Sequence, residues 1–156
     1  MDTPALLRRL RSFIKGEVEA DKKTLETYSH DTSIFELVPE VVVYPLDSED
    51  VENIIRFVSI HKKDNPRLSL TGRSAGTDMS GGAINDSIIL DFSKHFNEIG
   101  EIKSGGTTVE PGVFYRDFEK LTLEKSLFFP SYPASKNICC FGGMVNNNAG
   151  GEKSLF

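Results

Sequence analysis

The chain has no tryptophan, only two cysteines and three histidines, and no apolar run that approaches the ~18 residues of a membrane span. The cysteines, Cys139 and Cys140, are adjacent. Adjacent thiols exclude a disulfide framework between distant segments, and neither zinc-ligand spacing nor a C-x-x-C pair occurs. A buried structural role in a reducing compartment follows for both. His30, His61 and His95 are scattered and none stands in a glycine-rich stretch, so no catalytic histidine and no metal site is expected. Positive charge is in deficit: 18 Lys and Arg against 23 Asp and Glu give a net charge of −5. That balance argues against a nucleic-acid partner. Arg8, Arg9 and Arg11 are not followed by an apolar h-region, so no secretory signal is read there. The expected location is the cytoplasm, or the periphery of a membrane. Two nucleotide fingerprints are also missing, the G-x-G-x-x-G run and the G-K-[ST] triplet.

What remains is a globular composition, with 38% apolar and 26% charged residues over 156 positions. One ordinary domain is the natural reading. Asp2-Thr3-Pro4 starts a helix, Leu6, Leu7, Leu10, Phe13 and Ile14 recur at helical spacing, and Gly16 offers a stop. The arginines then fall on the opposite, solvated face. Glu40 to Tyr44 reads as a buried strand ended by Pro45. Asp47 or Ser48 caps a helix with Val51, Ile54, Ile55 and Val58 as its apolar face. Further strands are expected at Leu68 to Thr71 and Ser87 to Phe92. A hairpin is expected over Ile99 to Gly112, turning at Ser104-Gly105-Gly106, and a helix over Val113 to Glu124 carrying Phe114, Phe118 and Leu121. Strand, helix, strand, loop, strand suggests a small α/β layer.

Two clusters of small residues carry the functional signal. The first, Leu70-Thr71-Gly72-Arg73-Ser74-Ala75-Gly76-Thr77-Asp78-Met79-Ser80-Gly81-Gly82, follows an extended apolar segment and is led by one arginine. Such a loop can turn consecutive N–H groups toward an anion, glycine permits close approach and positive φ, and arginine adds a charged donor. A pyrophosphate fits this pattern. The expected donors are the N–H groups of Ser74 to Asp78 and the Thr77 and Ser80 hydroxyls, with Gly81 and Gly82 letting the backbone pass close. The Asp78 carboxylate, which would repel a pyrophosphate, is expected to turn toward backbone or solvent. The second cluster runs Pro130-Ser131-Tyr132-Pro133-Ala134-Ser135, then Gly142-Gly143-Met144-Val145-Asn146-Asn147-Asn148-Ala149-Gly150-Gly151. Asn146 and Asn147 are read as serving turn backbone.

Together the clusters, with Tyr28…Asp31 before the first strand and Pro45-Leu46-Asp47-Ser48-Glu49-Asp50-Val51 after it, resemble the FAD-binding domain of FAD-linked oxidases. This is the vanillyl-alcohol-oxidase and p-cresol-methylhydroxylase (PCMH) type, and the branch of the D-lactate and glycolate dehydrogenases is the most similar. The resemblance covers nearly the whole chain. It implies an α+β fold of two α/β subdomains, the second incomplete, with an N-terminal helical segment over 1–40 and the FAD-binding core over 41–156. It implies FAD contacts at Arg73, Ser74, Ala75, Gly76, Thr77, Asp78, Ser80 and Gly81. Pro133, Ser135, Gly142, Gly143, Asn148 and Gly150 are implied along the flavin end. Ala75 stands where the family loop more usually has glycine, and alanine there is costly if φ is positive. Thr77 stands where relatives with covalent flavin place histidine, so the FAD is expected to be non-covalent.

The resemblance further implies oxidation of a small 2-hydroxy acid such as D-lactate or glycolate, with a hydride passing to flavin N5, and it leaves the electron acceptor open. The base and the carboxylate-binding arginines of those enzymes come from a substrate domain, so no catalytic residue is assigned. The chain reads as an N-terminal fragment, inactive alone and holding FAD poorly. Two other readings remain: an enolpyruvoyl sugar-nucleotide reductase on the same fold, and a non-catalytic FAD-binding fragment or subunit.

Overall fold

The computed structural model of the chain describes residues 2–151 and 153. Helix α1 (Thr3–Arg11) starts where Asp2 accepts the Ala5 N–H at 2.8 Å and Pro4 sits in the first turn. It ends at Ser12, not at Gly16. Gly16 has another purpose: a Cβ there would land on the Tyr44 carbonyl, so only glycine lets the chain pass this strand. The next strand, β1 (Glu17–Glu19), was not anticipated, and it shows that the segment 1–40 is not all helix. Helix α2 (Lys22–Tyr28) follows, capped by Asp21. Then come β2 (Val41–Tyr44) and α3 (Ser48–His61), the latter capped by Asp47 as expected. β3 (Leu70–Arg73) begins two residues later than expected and takes in Gly72 and Arg73. β4 (Ile88–Asp91) completes the sheet.

The sheet order is β1-β2-β4-β3, with β1 antiparallel to β2 and the other pairs parallel. β2 and β4 are buried on both faces, which explains their unbroken apolar runs. Alternation sorts their side chains. Val41, Val43, Ile88 and Leu90 face a core with Leu6, Leu10, Ile54 and Phe57 of α1 and α3. Val42, Tyr44 and Ile89 face Leu25 and Tyr28 of α2. On α3 the inward stripe is Asp50, Ile54 and Phe57, while Ile55 is 52% exposed, contrary to expectation. The register of the stripe is set by Asp50, which is fully buried. Its carboxylate accepts N–H groups from Lys15 (2.8 Å), Gly16 (2.9 Å) and Leu46 (2.9 Å). One side chain thus ties the α1–β1 turn to the end of β2.

The second unit packs around Val113, Tyr115, Phe118, Cys139 and Met144. The expected hairpin at 99–112 is present as the isolated bridges Ile99↔Val109 and Lys103↔Gly106, not as continuous strands. Helix α4 (Tyr115–Glu124) starts two residues later than expected, with Phe114 as its N-cap. It buries Tyr115 and Phe118 and leaves Leu121 40% exposed. Helix α5 (Phe141–Asn146) closes the described structure. Among the described residues, no helix is long and apolar enough to cross a membrane.

Asp50→Ala should destabilise the chain by about 3 kcal/mol in urea unfolding, because it strands buried N–H donors. Asp47→Ala, which removes only the α3 cap, should cost about 1 kcal/mol. Equal midpoints for the two variants would contradict this account.

Candidate cofactor site

Beyond the C-terminal end of β3 lies a cleft of ≈ 490 Å³ lined by Leu70–Asp78, Gly82, Ala83, Phe92, Pro111, Cys140, Gly142, Gly143, Asn146 and Asn147. Ligands of open parallel sheets commonly sit at such strand ends. A second cleft of ≈ 340 Å³ adjoins it, lined by Thr77–Ser80, Pro133, Ser135, Cys139, Gly143, Met144, Asn147 and Ala149. The two share Thr77, Asp78, Gly143 and Asn147. The fold therefore brings both small-residue clusters to one place. Of the expected site residues, Gly81, Asn148 and Gly150 line neither cleft.

Arg73 is the last residue of β3, not the first of the loop. Its guanidinium folds beneath the loop. Nη1 donates to the Tyr28 and Ala83 carbonyls, each at 3.3 Å, and the group lies 5.0 Å from the centre of the Tyr28 ring. Burial lowers its pKa from the usual arginine range. Tyr28 is held in turn by its hydroxyl, which donates to Asp91 at 2.9 Å, and burial raises its pKa. Gly76 crosses directly over this arginine with φ +67°, and a Cβ there would lie 2.5 Å from Nη2. Only glycine meets both demands. Ala75 is not among the residues of positive φ, so the alanine carries no such strain.

The loop's other anchors are polar. Ser74 Oγ donates to the Pro111 carbonyl at 3.1 Å, and the Gly142 N–H reaches the same carbonyl at 2.8 Å. The Asp78 carboxylate turns to the backbone, as expected. Oδ2 accepts from Gly82 N–H (2.7 Å), Ser80 N–H (2.9 Å) and the Ser80 hydroxyl (2.7 Å). The Ser80 hydroxyl, expected as a ligand donor, is thus committed to Asp78. Asp31 also supports the loop, through the Ala83 N–H at 3.4 Å, and Thr32 donates its N–H and hydroxyl to the Asp78 carbonyl. The N–H groups of Gly76, Thr77 and Asp78 meet no acceptor among the described residues. With the Met79 N–H, which also meets no acceptor among the described residues, that leaves a run of four unpaired backbone donors beside the junction of the two clefts.

Gly142 and Gly143 lie in the first turn of α5. At Gly142 a Cβ would meet Pro111 Cβ at 2.8 Å and Ser74 Oγ at 2.9 Å, whereas at Gly143 nothing lies within 4 Å. Asn147 is not a turn residue only, since its Nδ2 donates to Asp78 Oδ1 at 3.0 Å. Asn148 is exposed and takes φ +47° just past α5, a conformation asparagine tolerates. Cys140 is buried beneath the loop and burial pushes its thiol up to about 12, with the Ala75 N–H offsetting a part of the rise. Cys139 is also buried, as expected of both. Tyr28, Asp31, Asp91, Pro111 and Asn147 were not read as site residues. Only the Tyr28…Asp31 spacing carried any signal.

A family model described as the FAD binding domain matches residues 39–156. The chain belongs to that family. FAD is the family's cofactor, and the glycine-tight loop with its unpaired N–H run fits a pyrophosphate. The D-2-hydroxyglutarate dehydrogenase of Escherichia coli (strain K12) is 36% identical over 138 residues, which is 87% of this chain and 13% of that enzyme. The glycolate oxidase subunit GlcD of Bacillus subtilis (strain 168) is 33% identical over 133 residues, 82% of this chain and 27% of that subunit. A structure of p-cresol methylhydroxylase with substrate bound superposes at TM-score 0.72 over 91% of this chain and 28% of its own, at 22% identity. The fold is therefore of the PCMH type. The chain spans 13% to 33% of the length of the relatives it matches.

The two glycines of α5 make opposite predictions. Gly142→Ala should lower stability by about 1–3 kcal/mol, because Pro111 and Ser74 must give way. Gly143→Ala should leave it unchanged or raise it by up to about 1 kcal/mol, since alanine favours helix. Thermal unfolding of both variants separates the cases, and equal losses would refute the packing described.

Proposed function

We propose that the double cleft holds the pyrophosphate region of a non-covalent FAD, and that the protein serves the flavin-dependent oxidation of a 2-hydroxy acid such as D-lactate or glycolate. The observation that carries this reading is the run of unpaired N–H groups at Gly76, Thr77 and Asp78 on a loop fixed from below. A phosphate oxygen is the natural acceptor for such donors. FAD, when bound, supplies the two-electron chemistry. The chain supplies position: Thr77, Gly143 and Asn147 flank both clefts, and Pro133, Ser135, Gly142 and Gly143 wall the side away from β3. Gly81, Asn148 and Gly150 line neither cleft. The substrate class rests on the relatives, which are named as D-2-hydroxyglutarate dehydrogenases and glycolate oxidase subunits. No group of this chain is assigned to proton transfer. An acidic protein with this cleft suits a cytoplasmic flavoenzyme.

Acid precipitation of the flavin-loaded protein should release FAD, identified by mass, and leave a colourless pellet. FMN alone would overturn the pyrophosphate assignment, and yellow retained by the denatured chain would overturn the non-covalent one. Turnover of D-lactate or glycolate with a dye acceptor by the full-length protein tests the substrate class.

Within the loop, Gly76→Val should abolish FAD binding, because a β-branched side chain meets both the arginine and a forbidden φ. Arg73→Ala should weaken it by roughly tenfold to a hundredfold, through loss of charged hydrogen bonds that hold the loop. Fluorescence titration of the apo variants reads both effects. Wild-type affinity in Gly76→Val would reduce the loop to a turn.

A further inference from the structure

The loop contains two sets of backbone donors, and they have different fates. Gly76 to Met79, and Gly81, offer unpaired N–H groups, while Ser80 and Gly82 give theirs to a carboxylate of the same loop. We propose that Asp78 is a positioning residue: its carboxylate is a resident anion that takes the Ser80 and Gly82 N–H groups, preassembles that half of the loop, and leaves the Gly76–Asp78 half to a ligand phosphate. Asn147 then registers the filled loop on α5. The ligand part of this proposal rests on the FAD reading above; the resident anion does not.

Four observations support it. All of the Asp78 oxygens are used, with three donors on Oδ2, one on Oδ1, and the Thr32 N–H and hydroxyl on the main-chain carbonyl. The glycines sit where the resident anion needs them. Gly81 takes φ +84°, and a Cβ on Gly82 would lie 3.1 Å from Asp78 Oδ2. The donors hold the Asp78 carboxyl down to about 2, the Gly82 N–H foremost, so it is ionised at neutral pH. Finally, Asp78 and Asn147 line both clefts, so their hydrogen bond spans the junction that a dinucleotide would cross. A carboxylate beside a phosphate site looks misplaced in isolation. Here its charge is absorbed by the donors that would otherwise collapse onto other acceptors or recruit a free anion.

The experiment replaces the resident anion with one from solution. In Asp78→Ala the thermal midpoint should fall, and acetate or formate at tens of millimolar should raise it in a saturable way. The same salts should leave the wild-type midpoint unchanged, and Asn147→Ala should lower the midpoint without gaining acetate dependence. Where FAD binds the wild type, Asp78→Ala should weaken it by roughly tenfold to a hundredfold, and Asn147→Ala by roughly two- to tenfold. Should Asp78→Ala fail to fold, amide exchange in the wild type still decides: Ser80 and Gly82 should exchange slowly, and Gly76 and Thr77 fast. Acetate-independent loss of stability in Asp78→Ala, or fast exchange at Ser80 and Gly82, overturns the proposal. In the full-length protein, absence of FAD binding with acetate rescue intact would overturn the functional reading and leave the resident anion standing.

Discussion

Arg73 faces Asp91 across the parallel β3–β4 ladder, and the site is built outward from that pairing. Asp91 is buried and holds the Tyr28 hydroxyl; the Tyr28 ring and carbonyl receive the arginine; the arginine floors the loop at Gly76. A shift of one residue in this register would turn Arg73 to the opposite face of the sheet. The loop would lose its floor even though every loop residue were unchanged. Cofactor geometry in this fold is therefore a property of strand pairing before it is a property of loop composition.

Two carboxylates solve the same problem in different settings. Asp50, fully buried, gathers three N–H groups and fixes where α1, β1, β2 and α3 meet. Asp78, near the surface, gathers donors from two residues of its own loop and reaches across to α5. Both satisfy backbone groups that no helix or ladder serves. The difference lies in what surrounds them. Asp50 is enclosed and its donors are permanent, while beside Asp78 the N–H groups of Gly76 to Met79 stay open.

Elements with strong local signals were legible in the sequence. Asp2 and Asp47 caps, together with helical periodicity, located α1 and α3, and continuous Val and Ile runs located β2 and β4. Others take their structure from distant partners. β1 is only Glu-Val-Glu and exists because β2 offers an edge. α5 contains two glycines and was not anticipated, yet the Val113 and Pro111 carbonyls take the Phe141 and Gly142 N–H groups and hold its first turn. On α3, periodicity alone could not choose between Ile55 and Phe57 as the inward residue, because the choice depends on the buried Asp50. In the site, small-residue composition and the family resemblance marked both clusters. They could not show that Arg73 turns inward, that the Ser80 hydroxyl is committed, or that Asn147 spans the junction. Those are facts of tertiary distance between residues 45 or more apart in several cases, such as Arg73 with Tyr28 and Asn147 with Asp78.

The inward-turned arginine has a consequence for how a ligand arrives. Its positive charge lies beside Asp91 and Tyr28 beneath the loop, and the Asp78 carboxylate stands near the loop's surface. The open donors are peptide dipoles, whose field falls away within a few ångströms. On a protein of net charge −5 there is little long-range pull on an anion. Capture is then governed by fit at contact rather than by electrostatic steering. Its speed should depend weakly on ionic strength, and selectivity among phosphorylated molecules should come from the shape of the two clefts rather than from the number of charges a molecule carries.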